Sequence, residues 1–339
     1  MPLTYNIPFI SIMLAMSSAL VIPLLRSGSR ALALIRGVQA AVTAGSACLL
    51  WSLSQAGESI SFQMGHFPSP WGNMLRAGPL EALLALTFST VMLLSLTGGG
   101  QELKKAMESG QLKWYCLLMQ LLYGALLALD YTDDLFTVYV FVESGAVTAC
   151  IAVAAKESGR SIVSAIRYLI FSCLGSGLIL LGISILYNIT GQLLFDGLES
   201  AVADLVTRRE YLLPLVVSAL LMTLGLSIKS AQFPFHAWLP DAHASTFTAS
   251  SAILSGLVLK GYLVIILKLV LRVFGQSLLV SVCIDDLLFL LGLAGMLYAS
   301  VSALRQEEVK RMIAYSSSAQ ISYIFLALGL GSLEGLVAA

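Results

Sequence analysis

Apolar runs of about twenty residues, separated by short polar or basic turns, recur along the whole chain, and each is long enough to cross a bilayer as a helix. They fall at 7–25, 31–53, 80–96, 114–129, 135–155, 162–187, 251–271, 287–301 and 312–330, with a further run entering at Leu212. The pattern predicts an all-α polytopic membrane protein with about ten transmembrane helices. One of them should be broken. Pro234 cannot donate its amide and would clash with the carbonyl near Ser230, so the helix entering at Leu212 is expected to open there. Broken helices at membrane depth are tolerated where they line a cavity or are buried in protein.

The polar turns orient the spans. The first run has no basic residue before it and no small-residue cleavage pattern after it, so it reads as a retained span that starts outside. Under alternation Arg26, Arg30, Arg36, Lys104, Lys105, Lys113, Lys156, Arg160, Arg305, Lys310 and Arg311 share one side, the inner one. Arg76, Arg208, Arg209 and Arg272 hold the other. The turn at 55–78, with Trp71 and several prolines and glycines, suits the outer interface. Gly98, Gly99 and Gly100 with the following lysines read as a flexible inner loop, and they lack the Lys-Ser/Thr ending of a phosphate-cradling loop. Asp130, Asp133 and Asp134 are read as helix caps in preference to a cation site. At 193–206, Leu194, Leu198, Leu205 and Val206 oppose Asp196, Glu199 and Asp204, as on a short surface helix. Arg167 and Lys268 lie near span ends and are expected to snorkel.

Composition agrees with the pattern: 58% of the 339 residues are apolar and 11% charged, with zero net charge. Basic residues collecting mainly in short turns point to bilayer orientation and away from nucleic acid. The cysteines (Cys48, Cys116, Cys150, Cys173, Cys283) stand singly in apolar runs, without the spacing of a zinc site, an iron–sulfur cluster or a redox dithiol, and read as packing residues.

Three charges break the apolar runs. Glu143 lies about 13 Å along its span, near mid-membrane. Lys229 stands at the break, and Lys260 about nine residues into the next span. A lysine at the bilayer centre costs ~2.5–3.5 kcal/mol, so each needs a counter-charge or a wet cavity. One reading is a structural ion pair between Glu143 and Lys229. A second intramembrane lysine and a proline break exceed what a clamp requires, and favour a proton pathway in which the carboxylate tunes Lys229 and the proton moves on to Lys260. His236, Asp241 and His243 have no metal-ligand spacing and are read as relay groups or polar anchors around the break.

At these residues the chain resembles the antiporter-like subunits of respiratory complex I and its relatives, the multisubunit cation/proton antiporters and the membrane-bound hydrogenases. The resemblance covers Phe141-Val-Glu143, Lys229-Ser-Ala-Gln-Phe-Pro-Phe-His-Ala-Trp-Leu-Pro-Asp-Ala-His243, Ser251-Ala-Ile-Leu-Ser-Gly-Leu-Val-Leu-Lys260 and Val309-Lys-Arg-Met-Ile-Ala-Tyr-Ser-Ser-Ser318. It implies that Glu143 and Lys229 form a coupling pair and that Lys260 is the central relay. The chain departs from the family in reading Ser245-Thr246-Phe247-Thr248-Ala249 where a proline-rich segment is usual. Such subunits have about fourteen spans in two inverted halves. This chain is therefore expected to be a fragment, or a shortened subunit that takes its exit from a neighbour. On that basis 1–339 is one transmembrane domain: peripheral spans to 112, a core half at 113–274, and the start of a second half from 275.

The expected function is proton translocation in a redox-driven complex of the NADH:quinone oxidoreductase or membrane-bound hydrogenase type, in a bacterial or archaeal cell membrane. The chain carries no redox centre or cofactor motif of its own. Flavin, iron–sulfur clusters or a nickel–iron site would belong to partner subunits, and other membrane subunits of the complex are the expected neighbours. Sodium/proton exchange and a non-pumping scaffold are the competing readings.

Overall fold

The computed structural model of the protein describes residues 3–57, 59–63, 73–275, 278 and 284–339, almost all of them helical. Among them nine helices are long and apolar enough to cross a membrane: Ile7–Leu24, Gly28–Ala56, Pro79–Gly98, Ser109–Tyr131, Leu135–Ala154, Gly159–Thr190, Leu212–Lys229, Thr248–Phe274 and Ile284–Leu304. The chain is a multi-pass integral membrane protein. Val309–Leu328, the tenth expected span, is a helix of 20 residues. Its basic residues and serines keep it out of the apolar set, and they have partners inside the fold. Trp71 and Cys283 lie outside the described residues.

Two compact units divide the chain. One comprises Met1–Ile162 with Thr246–Gly261, the other Val163–Ser245 with Tyr262–Ala339. In the first unit α1 (Ile7–Val21), α2 (Gly28–Ala56) and α3 (Pro79–Gly98) surround α5 (Ser109–Tyr131), with the short α4 (Gly100–Ala106) between α3 and α5. Helix α5 is the most enclosed of these. Its buried polar groups pair across helices, Gln120 donating to Ser18 Oγ (3.0 Å) and Tyr123 to Ser89 Oγ (2.7 Å). Such pairing is what makes polar groups tolerable in an apolar interior.

Several local expectations are corrected. Between α2 and α3 the chain forms an antiparallel hairpin, β1 (Ile60–Gln63) with β2 (Met74–Ala77), because Ile-Ser-Phe-Gln and Met-Leu-Arg-Ala are short alternating segments at an interface where ladder bonds satisfy the backbone. The glycine triplet is no flexible loop: Gly100–Ala106 is helical, Glu102 accepts the Thr248 N–H at 3.1 Å, and a Cβ at Gly99 would come 2.7 Å from the Ala249 Cβ. Close backbone approach explains the glycine there. Of the three aspartates only Asp134 precedes a helix start and caps it, accepting the Thr137 N–H at 2.6 Å. Asp130 lies in the last turn of α5 and Asp133 in the turn, both 1% exposed. Cys116 and Cys150 are buried, whereas Cys48 and Cys173 are exposed, a thiol being apolar enough for a membrane-facing surface.

In the second unit the long α7 (Gly159–Thr190) leads to α8 (Phe195–Arg208), the expected surface helix. Its buried stripe is Phe195, Leu198 and Val202, spaced at three and four; of the expected apolar face, Leu194 stands at the N-cap before the helix and Leu205 and Val206 are only half-buried. Arg272 ties α8 to the end of the Thr248–Phe274 span, pairing with Asp196 at 2.6 Å and lying 5.4 Å over the Phe195 ring.

Candidate functional site

Helix α9 (Leu212–Lys229) ends on Lys229, and the chain stays irregular until a short 3-10 turn, Phe235–Ala237, and α10 (Trp238–Ser245). Ending a helix here does two things for the lysine. The last carbonyls of α9 form the negative end of its helix dipole, which favours a cationic residue in that turn. They also free backbone groups, and each freed group that can be traced is met: Ala231 N–H donates to Ile228 O (3.2 Å), Gln232 N–H to Ser227 O (3.0 Å), and Ser318 Oγ to Ala231 O (3.3 Å). The fully buried Gln232 side chain fastens the loop, donating to Leu291 O (3.0 Å) and accepting from Ser322 Oγ (3.1 Å). So α13 (Ile284–Leu304) and α14 (Val309–Leu328) hold the break open, and the serines that make α14 too polar for a simple span are its braces.

Lys229 is 1% exposed. Its Nζ donates to Ser172 Oγ at 2.9 Å and lies 5.7 Å from the centroid of the Tyr262 ring. The stem can reach this place because α7 and α9 touch through glycines. A Cβ at Gly225 would lie 2.5 Å from Gly175 O, and one at Gly175 would lie 3.0 Å from Lys229 Cγ. Gly225 and Lys229 are four apart on α9, and Ser172 and Gly175 three apart on α7, so each pair shares a helix face. Substituting Gly225 by Ala is expected to cost ~1–3 kcal/mol through forced separation of the two helices. Gly177→Ala is the control, since a Cβ there meets nothing within 4 Å. Thermal unfolding of the purified protein in detergent should show a lower midpoint for Gly225→Ala and none of that loss for Gly177→Ala.

Around the break, Asp241 on α10 is held by two arginines, Arg167 from α7 at 2.7 Å and Arg311 from α14. Arg167 is thus more than the interfacial snorkel expected of it: its guanidinium reaches a carboxylate 74 residues away. His236 packs in an aromatic cluster, 5.6 Å from Phe233, 4.9 Å from Tyr298 and 6.2 Å from Tyr315 between centroids. His243 is fully buried on α10. Among the described residues no three of His, Cys, Asp and Glu are grouped as metal ligands would be.

Glu143 and Lys260 belong to the first unit. Glu143 is the ninth residue of α6 (Leu135–Ala154) and is half-buried. Lys260 is the second residue of α12 (Leu259–Leu269), also half-buried, and follows directly on a π-helical turn, Leu254–Val258, which packs against α6. A π turn displaces the residues after it around the helix axis and so re-aims Lys260. The start of this span replaces the proline-rich pattern with hydrogen bonds: Thr246 Oγ1 donates to Ala152 O (3.2 Å), and Tyr115 shares a 2.8 Å bond with Ser250 from α11 (Thr248–Ile253). Lys268 departs from the snorkelling expectation. It is 7% exposed, because the span runs on to Phe274 and Arg272 takes the interfacial position.

Residues 132–339 match the family described as NADH:quinone oxidoreductase/Mrp antiporter, TM. The chain belongs to this family. NADH-quinone oxidoreductase subunit N of Desulforudis audaxviator is 33% identical over 300 residues, covering 88% of this chain and 58% of the relative. An Na(+)/H(+) antiporter subunit of Alkalihalophilus pseudofirmus is 32% identical over 257 residues, covering 75% of this chain and 30% of the relative. Among solved structures, a chain of the membrane-bound sulfane sulfur reductase, an archaeal respiratory membrane complex, superposes with a TM-score of 0.83 at 25% identity, over 96% of this chain and 65% of that one. A chain of the Mrp complex from Dietzia sp. DQ12-45-1b gives 0.86 at 19% identity, over 100% of this chain and 62% of that one, and so shares the fold. The chain spans 58% of the length of its subunit N relative from Desulforudis audaxviator.

Sequence reasoning named the charged residues and the break but missed Ser172, Tyr262 and the paired arginines of Asp241. The spacing of Gly225 to Lys229 and of Ser172 to Gly175 is visible in the sequence, yet nothing local says that the two pairs meet.

Proposed function

We propose that this chain translocates protons as an antiporter-like membrane subunit of a redox-driven complex, using Glu143, Lys229 and Lys260 as titrating stations. The observation that carries the reading is a lysine 1% exposed at the end of an interrupted membrane helix, with its ammonium on a hydroxyl and an aromatic face. Simple helix packing has no use for that arrangement, since a buried charge is costly and an apolar residue of the same volume would be at least as stable. The electron-carrying chemistry, with flavin, iron–sulfur clusters or a nickel–iron site, belongs in this reading to partner subunits. The names of the subunit N relatives and of the archaeal respiratory complex support a redox-driven complex as the setting.

The test is proton uptake into vesicles carrying the assembled complex, with the Glu143→Gln variant beside the unaltered protein. The substitution keeps shape and hydrogen bonding and removes only the charge. Coupled pumping is expected to fall at least ~10-fold while assembly is retained. Pumping at the unaltered rate would sink the coupling-pair role, and loss of assembly with intact specific pumping would make the glutamate a structural partner.

Sodium/proton exchange is the second reading, favoured by the 32% identity to an Na(+)/H(+) antiporter component. It predicts that a sodium gradient alone, without an electron donor, drives a pH change in the same vesicles. A scaffold would move protons under neither condition.

A further inference from the structure

Lys229 is buried between three helices, and two of its neighbours have no part in the proposed relay. Ser172, 3% exposed, comes from α7, and Tyr262, 2% exposed, from α12. We propose that Ser172 and Tyr262 form the seat of the Lys229 ammonium, acting as positioning residues that hold Nζ in place for proton exchange. This rests on the reading of Lys229 as a proton carrier.

The seat follows from what an ammonium needs when water is excluded. It has three donors and no acceptor, and it is strongly hydrated in solution. Ser172 Oγ accepts one donor at 2.9 Å. The Tyr262 ring lies 5.7 Å from Nζ, inside the distance at which the negative face of an aromatic ring attracts a cation. A hydroxyl acceptor and a ring face together fix where Nζ sits, one through a donor hydrogen and the other through the cation itself. A carrier that must exchange its proton with fixed neighbours needs its nitrogen held in this way. The approach of α7 to α9 at Gly175 and Gly225 lays the stem over bare backbone, which leaves Nζ little choice of direction.

Tyr262 stands on the same helix as Lys260, two residues on, and six before the buried Lys268.

The experiment replaces Tyr262 in the full-length chain within its assembled complex and reads proton flux per assembled complex in vesicles. Tyr262→Phe keeps the ring face and should pump at close to the unaltered rate. Tyr262→Leu fills similar space without the face and should lose about tenfold, the scale of a desolvated cation–π contact. Fluorinated phenylalanines at 262 keep the shape while draining the ring's negative face, and flux should decline stepwise with fluorine number. A merely structural ring would not respond to fluorine. Ser172→Ala should add to the loss and Ser172→Thr restore it. Flux that is flat across the fluorinated series, or a Phe variant as impaired as the Leu variant, overturns the seat. Should Lys229→Met pump normally, the relay reading itself fails, whatever the Tyr262 series gives.

Discussion

Exchanging Lys229 for Met should leave the complex assembled and stop proton transfer, lowering flux by ~100-fold or more, the scale carried by a positioned acid–base group. Methionine matches the length of the lysine stem, so the contact with Gly175 survives and no large cavity opens. The variant also relieves the ~2.5–3.5 kcal/mol insertion cost of a buried lysine, so a loss of flux cannot be charged to failed insertion. Arginine is no substitute. Its guanidinium holds its proton at any accessible pH, and its rigid planar fork does not match the single hydroxyl that Ser172 offers. Flux in inverted vesicles, scaled to the amount of complex, decides the matter, and unaltered flux from Lys229→Met would remove this lysine from the pathway.

Lys260→Ala is expected to have the second large effect: insertion and assembly kept, net proton transfer lost. Lys260 is the second residue of an α-helical stretch directly after a π turn, and no other charged residue stands in its span before Lys268. A mid-span position without chemistry would be better filled by leucine. Lys260→Arg separates the two functions a lysine can have, since it retains the positive charge and cannot release a proton. If the arginine variant pumps at the unaltered rate, Lys260 is an electrostatic element, and the relay has to be withdrawn at this station. If both variants are silent while Gly177→Ala pumps, the requirement is for a titrating group at 260.

Much of this molecule was written locally. Runs of twenty apolar residues leave a chain little choice but to cross the bilayer as helices, because nothing in the hydrocarbon can satisfy an open backbone. Pro234 has no amide to donate to the carbonyl four residues back, at Ser230, and α9 ends at Lys229 with Ser230 as its cap. Glu143, Lys229 and Lys260 stood out because charge inside an apolar run is expensive enough to need a reason. The motif ending in Ser318 was recognisable, but its purpose was not. Only in the fold do Ser318 and Ser322 brace the break and Arg311 reach Asp241.

The missed features share a cause. Lys229 meets Ser172 across 57 residues, Arg311 meets Asp241 across 70, and Ser322 meets Gln232 across 90. No periodicity within a single helix encodes which face another helix will present to it, so the pattern yields each helix and its apolar or charged positions but not their pairing. Lys268 shows the same limit, since length and sequence place it near a span end while burial depends on what packs beside it and on where Arg272 finds its carboxylate. The sequence by itself determined the spans, the interruption and the presence of Glu143, Lys229 and Lys260 inside apolar runs, through local costs that no tertiary arrangement can waive. The tertiary structure alone decided that Gly175 and Gly225 meet, that the lysine stem lies across them, and that its ammonium ends on a serine and a tyrosine.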